Sequence, residues 1–565
     1  MNTLIQKGRL VWGRLALTSM LLLAMPLATL HAQDAEMKPV AVVSISPIKK
    51  ILADTQYLAE TAGQGDFGRM GAIMSAPFTQ GIDKSRPIGV LVMTNGQEFA
   101  PLAFIPVTDM DSLLLIIKEQ FGPPQDMGDD VKMLPTPMPV FVKQSGDWAF
   151  VAMDKDKLSN VPADPASLLK TLPTDYDIAV QMYPGNVPEI YQNVLVSQMK
   201  AGVEISLEQE PDETDEEFAA RKAQINEQLS EINRIFTEMT DLTFGWNIDA
   251  TQQGTYIDVK YTVAEGSKFA EQLAMNTNLT TEFSGFTKKG AAFNFSGSSK
   301  SPEAEADKVA NQVDGIREQA IRQLESDGEL VGEELESAKK VVDLMVDTLV
   351  QTIRTGKMDL GMMVDLDGGQ AVVLAGLHVA DGKRVEDGFK ELVKLMESEK
   401  DFPPVKWDAE TYQTIRFHVM EIPMDDAPPE AKEILGAKPA FVLGVGETNV
   451  YFAFGNDSIA RLKKAIDDSI AGTATQAKMG ELSVSLLPIL KLAQKYDDDN
   501  PTAINAAIEA LTAGSDQIMI TTEINGLEVR SRIMVQEGVI KAIGAGAAAQ
   551  SAAANDFDVE AAPAF

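Results

Sequence analysis

Two nine-residue segments some three hundred positions apart carry one pattern. Phe150 to Leu158 (FVAMDKDKL) aligns without a gap to Tyr451 to Ile459 (YFAFGNDSI), so Phe150 matches Tyr451, Ala152 matches Ala453, Asp156 matches Asp457 and Leu158 matches Ile459. A strand ending in proline repeats at nearly the same spacing: AVQMYP closes at Pro184 and SVSLLP at Pro488. Two independent matches at almost one offset predict an internal duplication. A repeat constrains the fold more than any local propensity does, because each copy has to bury the same faces.

Further segments fall into the same scheme. VVSISP (Val42 to Pro47) and AAFNFSGSSKSP (Ala291 to Pro302) are two more strands running to a proline, and a helical pattern follows each. A second set reads as hairpins, with turns at Asn95-Gly96, Asp367-Gly368-Gly369 and Asn525-Gly526; a fourth hairpin is LTFGWNIDATQQGTYIDVKYTV. Asn-Gly and Asp-Gly between apolar runs favour tight hairpins because these residues tolerate positive φ. Asp109 and Asp156 stand where N-caps belong. The expected fold class is therefore α+β: two similar halves, 37–285 and 286–545, of mainly antiparallel sheet covered by helices. Long amphipathic helices in mid-chain interrupt the plan. One carries Phe218, Ile225, Leu229, Ile232, Phe236 and Met239 along a stripe, another Val309, Val313, Ile316, Ala320 and Leu324, and a third ends at Gly356. The Ala-rich stretch 546–565 has no amphipathic pattern and reads as a disordered tail.

The first 32 residues read as a secretory leader. Lys7, Arg9 and Arg14 precede an apolar run from Leu15 to Leu30, and Ala32 suits a cleavage site. The expected location is accordingly periplasmic or extracellular, with no integral membrane segment once the leader is removed. The chain has 49 Lys+Arg against 83 Asp+Glu, a net charge of −34, and the leader contributes three of the basic residues. Such an exterior repels nucleic acid and anionic lipid. Cysteine is absent, which removes thiolate catalysis, Cys-based zinc sites and iron–sulfur clusters, and leaves the apolar core to hold the fold. Beyond the leader only His378 and His418 remain, each in an apolar strand pattern, too few for a His-rich metal site.

Ser46-Pro47-Ile48-Lys49 has the spacing S-x-x-K, in which some acyl-transfer enzymes place a serine nucleophile beside a lysine. The repeats weigh against that role. The backbone pattern recurs at Tyr183-Pro184 and Leu487-Pro488, but the serine and lysine do not, and no K-T-G or S-D-N follows. Ser46 as N-cap with Pro47 in the first helical turn accounts for both residues. Ser337 and Lys340 share the spacing inside a charged helix. The acidic candidates for a cation are Asp154 and Asp156, and Asp497, Asp498 and Asp499. The first pair lacks the glycine and glutamate that complete a calcium loop, and the run from Glu208 to Glu217 reads as a solvated helix start. Gly544-Ala-Gly546-x-x-Ala549 matches a dinucleotide fingerprint in letters only, since no βαβ unit surrounds it. No cofactor is expected.

Several stretches together (SISP, TQGIDKSRPIGVLV, GDWAFVAMDKDKL, YDIAVQMYPGNVPEIY and EGSKFAEQLA) resemble a family of large exported proteins of planctomycete-type bacteria. The resemblance implies an exported bacterial protein and carries over no activity, cofactor or site residue. The function expected is a non-catalytic cell-envelope binding or scaffolding protein, with a protein or small apolar ligand in the groove between the halves. The alternatives are a carrier of lipid or another apolar ligand, and an envelope serine hydrolase using Ser46 and Lys49.

Overall fold

The computed structural model describes residues 37–206 and 234–560, apart from breaks at 329, 367–368, 398–401, 426, 473–477, 497–500 and 512–514, and a few isolated residues between 207 and 233. The leader, the acidic residues from Glu208 to Glu217, most of the stripe from Phe218 to Phe236, the Asp367-Gly368 turn and the candidates Asp497, Asp498 and Asp499 lie outside the described residues.

Alternating apolar positions make the strands. In β1 (Lys38–Ile45) Val42 and Ser44 face inward, and in β13 (Val372–His378) Val372, Leu374 and Gly376 do so. The first ten strands are β1, β2 (Ile88–Thr94), β3 (Phe99–Pro106), β4 (Gln125–Asp126), β5 (Val131–Leu134), β6 (Val140–Ser145), β7 (Trp148–Ala152), β8 (Ile178–Met182), β9 (Met239–Asp249) and β10 (Gly254–Val263). The second ten are β11 (Phe293–Lys300), β12 (Lys357–Asp365), β13, β14 (Val405–Tyr412), β15 (Ile415–Glu421), β16 (Ala440–Val445), β17 (Asn449–Gly455), β18 (Gly480–Ser485), β19 (Gln517–Asn525) and β20 (Glu528–Gln536). Helix amounts to 45% and strand to 31%, and among the described residues every strand pairing is antiparallel, so the class is α+β.

All twenty strands join one sheet, in the order β4-β5-β6-β7-β3-β2-β1-β8-β9-β10-β20-β19-β18-β11-β12-β13-β17-β16-β15-β14. Outward from the β10–β20 seam, the two arms have the same order: strand n on one side is matched by strand n+10 on the other. At the seam Ile257 lies opposite Ile533, and the row continues through Trp246 to Ile178 on one side and to Ile520 on the other. That row is on the exposed side of the sheet; the register is held by the opposite face, where Tyr256 lies against Met534 and both are buried, since a slip of one residue would turn them out to solvent.

Helices occupy the connections. α1 (Ile48–Thr61) follows β1 and α2 (Lys268–Met275) follows β10. α3 (Glu303–Asp327) and α4 (Glu333–Arg354) separate β11 from β12. α5 (Gly382–Met396) follows β13, α6 (Ser458–Ala471) follows β17, α7 (Pro501–Ala510) precedes β19 and α8 (Glu537–Glu560) follows β20. The long helices α3 and α4 form an antiparallel pair. α4 lies along α5, and α5 in turn packs on β16 and β17, so the pair is an outer layer over the second arm. Arg317 on α3 ties it to α4 through Asp343 and Asp347.

Each arm has its own core. One gathers Phe104, Trp148, Phe150, Leu158 and Tyr176; the other gathers Phe283, Phe286, Phe417, Val442 and Leu462. Phe283 and Phe286 stack edge to face in the second core. Met534 of β20 packs into the first core, which joins the arms without a gap.

The stretch expected to be a disordered tail is helical through Glu560. Alanine is the best helix former and needs no amphipathic stripe to propagate a helix that is already docked. The docking is done upstream, by buried Val539 and Ala542 and by Gly544, which lies against Ala62 so closely that a Cβ there would meet the Ala62 carbonyl at 2.0 Å.

Candidate functional site

The described residues singled out from sequence have local or structural partners. Ser46 is fully buried, and its hydroxyl faces the carbonyls of Pro173 (2.6 Å) and Tyr176 (2.7 Å). It is not the N-cap of α1; Pro47 holds that place, with no side-chain cap bond. Lys49 is exposed, and the lysine that turns inward is Lys50, whose ammonium pairs with Asp177 and Asp54 and reaches Asn247 Oδ1 at 3.1 Å. Asp154, rather than Asp156, caps the short 3-10 turn Lys155–Leu158 by accepting from the Asp156 N–H at 3.0 Å. Asp154 and Asp156 are both members of a local turn.

A titratable cluster that sequence reading missed lies under α5. Glu386, 1% exposed, is gripped by Arg416 and Lys390, and His418 Nε2 lies 3.4 Å from its Oε1. Burial pushes the Glu386 carboxyl up, but the two cations outweigh it and hold it at about 2. Burial pushes His418 below its ordinary value, more than the neighbouring carboxylates raise it. The His418 Nδ1 accepts the Asp408 backbone N–H at 3.0 Å, which places the ring proton on Nε2. Glu386, Asp408 and His418 stand close enough to hold a metal ion. The donor set does not fit one: the central carboxylate is already neutralised twice, and the imidazole lone pair is taken by the backbone.

The arrangement with room for a ligand is a cavity of about 590 Å³ where the two arms meet. The first arm supplies Tyr261 and Val263 from the end of β10, and Phe269 and Leu273 from α2. Ser267 caps α2, its hydroxyl accepting from the Ala270 N–H at 3.1 Å, so Ala270 and Leu273 turn into a small core with Val263 and Val529. The second arm supplies Ala306 and Val309 from α3, Leu349 and Ile353 from α4, and Leu360 and Leu377 from β12 and β13.

Two joints hold these walls in place. The Asn276 side chain donates to the carbonyls of Gln272 and Lys300 (both 2.8 Å) and accepts from the Lys300 N–H (2.7 Å), clamping the end of α2 to the end of β11. Gly356, expected as the glycine that ends a helix, follows α4 with φ +66°, and a Cβ there would meet the Ser301 carbonyl at 2.6 Å.

Most of the polar groups on the wall have partners. Lys357 pairs with Glu282 (2.6 Å), which also accepts from Asn449 (2.8 Å). Burial raises Glu282, yet these hydrogen bonds prevail and hold it below its ordinary value. Asp359 accepts from the Thr281 hydroxyl and the Glu282 N–H, each at 2.8 Å, and burial pushes it up. His378 lies 3.4 Å from Asn449 Oδ1, and Glu305 pairs with Arg234. No helix among the described residues is long and apolar enough to cross a membrane. No protein family, no curated protein and no solved structure matches this chain.

Proposed function

We propose that this chain is a non-catalytic exported binding protein whose apolar ligand occupies the cavity between the two arms. The observation that carries the reading is the cavity itself. Its volume of about 590 Å³ lies in the range of small-ligand sites, roughly 300–1,000 Å³, its walls are mostly aliphatic and aromatic, and both arms contribute. Export is read from the leader-like sequence of the first 32 residues alone. The acid-rich composition argues against nucleic acid as partner. A serine hydrolase has less in its favour, because Ser46 is buried against two carbonyls while Lys49 is exposed.

The matched strand order of the two arms supports reading the chain as a tandem duplication, with the ligand cavity at the join of the copies. Pockets form preferentially at such boundaries, where two surfaces that each pack well alone meet imperfectly.

The test is binding of a neutral solvatochromic dye, Nile red, to the purified mature protein. Saturable binding that is abolished by Leu349→Arg is the expected result. Leu349 is 49% exposed, so the arginine puts charge on the cavity wall without breaking a core. Dye binding that Leu349→Arg leaves unchanged, or no binding at all, overturns the proposal.

A further inference from the structure

Taking that reading as its basis, we infer that the ligand is a single-chain amphiphile with an anionic head, its tail in the cavity and its head at Lys300. The charged groups on the wall are paired with one exception. Lys357 is neutralised by Glu282, Glu305 by Arg234, and Asp359 is engaged by two donors. Lys300 is left over. Among the described residues no carboxylate lies within ion-pair distance of it, although the chain carries 83 acidic residues against 49 basic ones. Its backbone is held on both sides by the Asn276 amide, so the base of the side chain is fixed while its far end lies at the surface. Its chain neighbours Ser299 and Ser301 also line the cavity.

An apolar pocket bordered by one ammonium without a carboxylate partner matches an amphiphile whose head is a carboxylate or a phosphate. A cationic head would meet Lys300 with like charge. A neutral one would leave it solvated and gain nothing from it. The overall negative charge does not override the pairing, because charges farther than about 10 Å away are screened at ordinary ionic strength.

The experiment is displacement of Nile red by hexadecanoate, hexadecyl phosphate, hexadecan-1-ol and hexadecyltrimethylammonium, each below its micellar concentration. In the native protein, hexadecanoate or hexadecyl phosphate should displace the dye at roughly threefold to fivefold lower concentration than hexadecanol, the size of an exposed charge pair. The ammonium amphiphile should be the weakest of the four. Comparison of the two anions tells a carboxylate site from a phosphate site. Shortening the chain should weaken binding about fourfold per methylene while the tail remains buried. Lys300→Met should erase the preference for the anions, and Lys300→Glu should reverse it. Thermal unfolding of both variants checks that they fold. Equal displacement by hexadecanol and both anions in the native protein, or a preference that survives in Lys300→Met, sinks the inference. Dye binding still abolished by Leu349→Arg would leave the cavity reading intact in either case, whereas loss of dye binding to the native protein removes both.

Discussion

Tyr57, in the first helix, donates its phenol proton to Glu537, in the last, across 2.9 Å of space and 480 residues of chain. Burial and the carboxylate push the phenol up to about 12, so the bond persists through the neutral range. Beside it Gly544 lies on Ala62. Together the two contacts lay α8, which extends the seam strand β20, over the first arm.

Gly544→Val should therefore detach the C-terminal helix, because its side chain has nowhere to go but into backbone. Limited proteolysis should cut within 537–560 far faster than in the native chain. Tyr57→Phe should cost only about 0.5–1.5 kcal/mol, one hydrogen bond at a partly exposed site. Unchanged protection of the segment in Gly544→Val would contradict the docking.

Ser46 gives the second prediction. Its hydroxyl is the donor facing the half-buried carbonyl of Pro173 and the buried carbonyl of Tyr176, at the point where β1 meets the short helix Leu172–Asp175. Ser46→Ala should lower stability by about 1–3 kcal/mol, the cost of stranding a buried acceptor. A fluorophosphonate probe should label neither form. Stoichiometric labelling of the native protein that vanishes in Ser46→Ala would restore the nucleophile reading.

These residues also show how far the sequence reaches. Hairpin turns were legible because they are local: Asn95 Oδ1 accepts from Gln97 and Glu98, both at 3.0 Å, and Gly96 and Gly526 take positive φ. Asp109 caps its helix as its position implies. Alternating apolar residues marked β9, with Trp246 on one face. Ser46 misled because its partners lie 127 and 130 residues downstream, and an N-cap and a buried tie look alike in one dimension. Lys50, one position from the suspected Lys49, was passed over for the same reason. The helix of the Ala-rich stretch has no amphipathic signature to read, because it is held from upstream, where Gly544 approaches Ala62. The cavity has no local signature at all, since Phe269 and Leu349 meet only when α2 and α4 are brought together. The Glu386–His418 pair likewise joins α5 to β15 across a gap no motif records.

That pair sets a pH dependence. The Glu386 carboxyl is held at about 2 in the fold and returns to its ordinary 4.5 when unfolded, so the unfolded chain binds more protons between those values. Its contribution is fully present above pH 4.5, roughly 3 kcal/mol, and drains away as pH falls toward 2. His418 acts in the same direction from a higher pH. Burial holds it below 6.5, so stability falls as acid charges the unfolded form first. Urea unfolding should find Glu386→Gln less stable than the native chain at pH 7, with a narrower gap at pH 3. Arg416→Met should be worse, by about 3–5 kcal/mol, because it leaves a buried carboxylate short of its main partner. A gap for Glu386→Gln that stays constant with pH would show that the carboxylate is not held by its cations.

The second core offers a sharper steric test. Gly361 and Gly376 lie directly opposite each other on β12 and β13, and Phe283 fills the slot that their missing side chains leave. A Cβ on Gly376 would come within 2.4 Å of the Phe283 ring, and one on Gly361 within 2.7 Å of the Phe283 carbonyl. Phe283 cannot retreat, because Phe286 and Tyr451 pack against it edge on. Gly376→Ala should then cost about 1–3 kcal/mol by overpacking, although alanine suits a strand no worse than glycine does. Phe283→Leu in the same chain should recover some of the loss, since the smaller side chain vacates the contested space. Measured separately and together by urea unfolding, the two substitutions should show a favourable interaction energy. Strict additivity would mean that the glycines are there for the backbone and not for the ring.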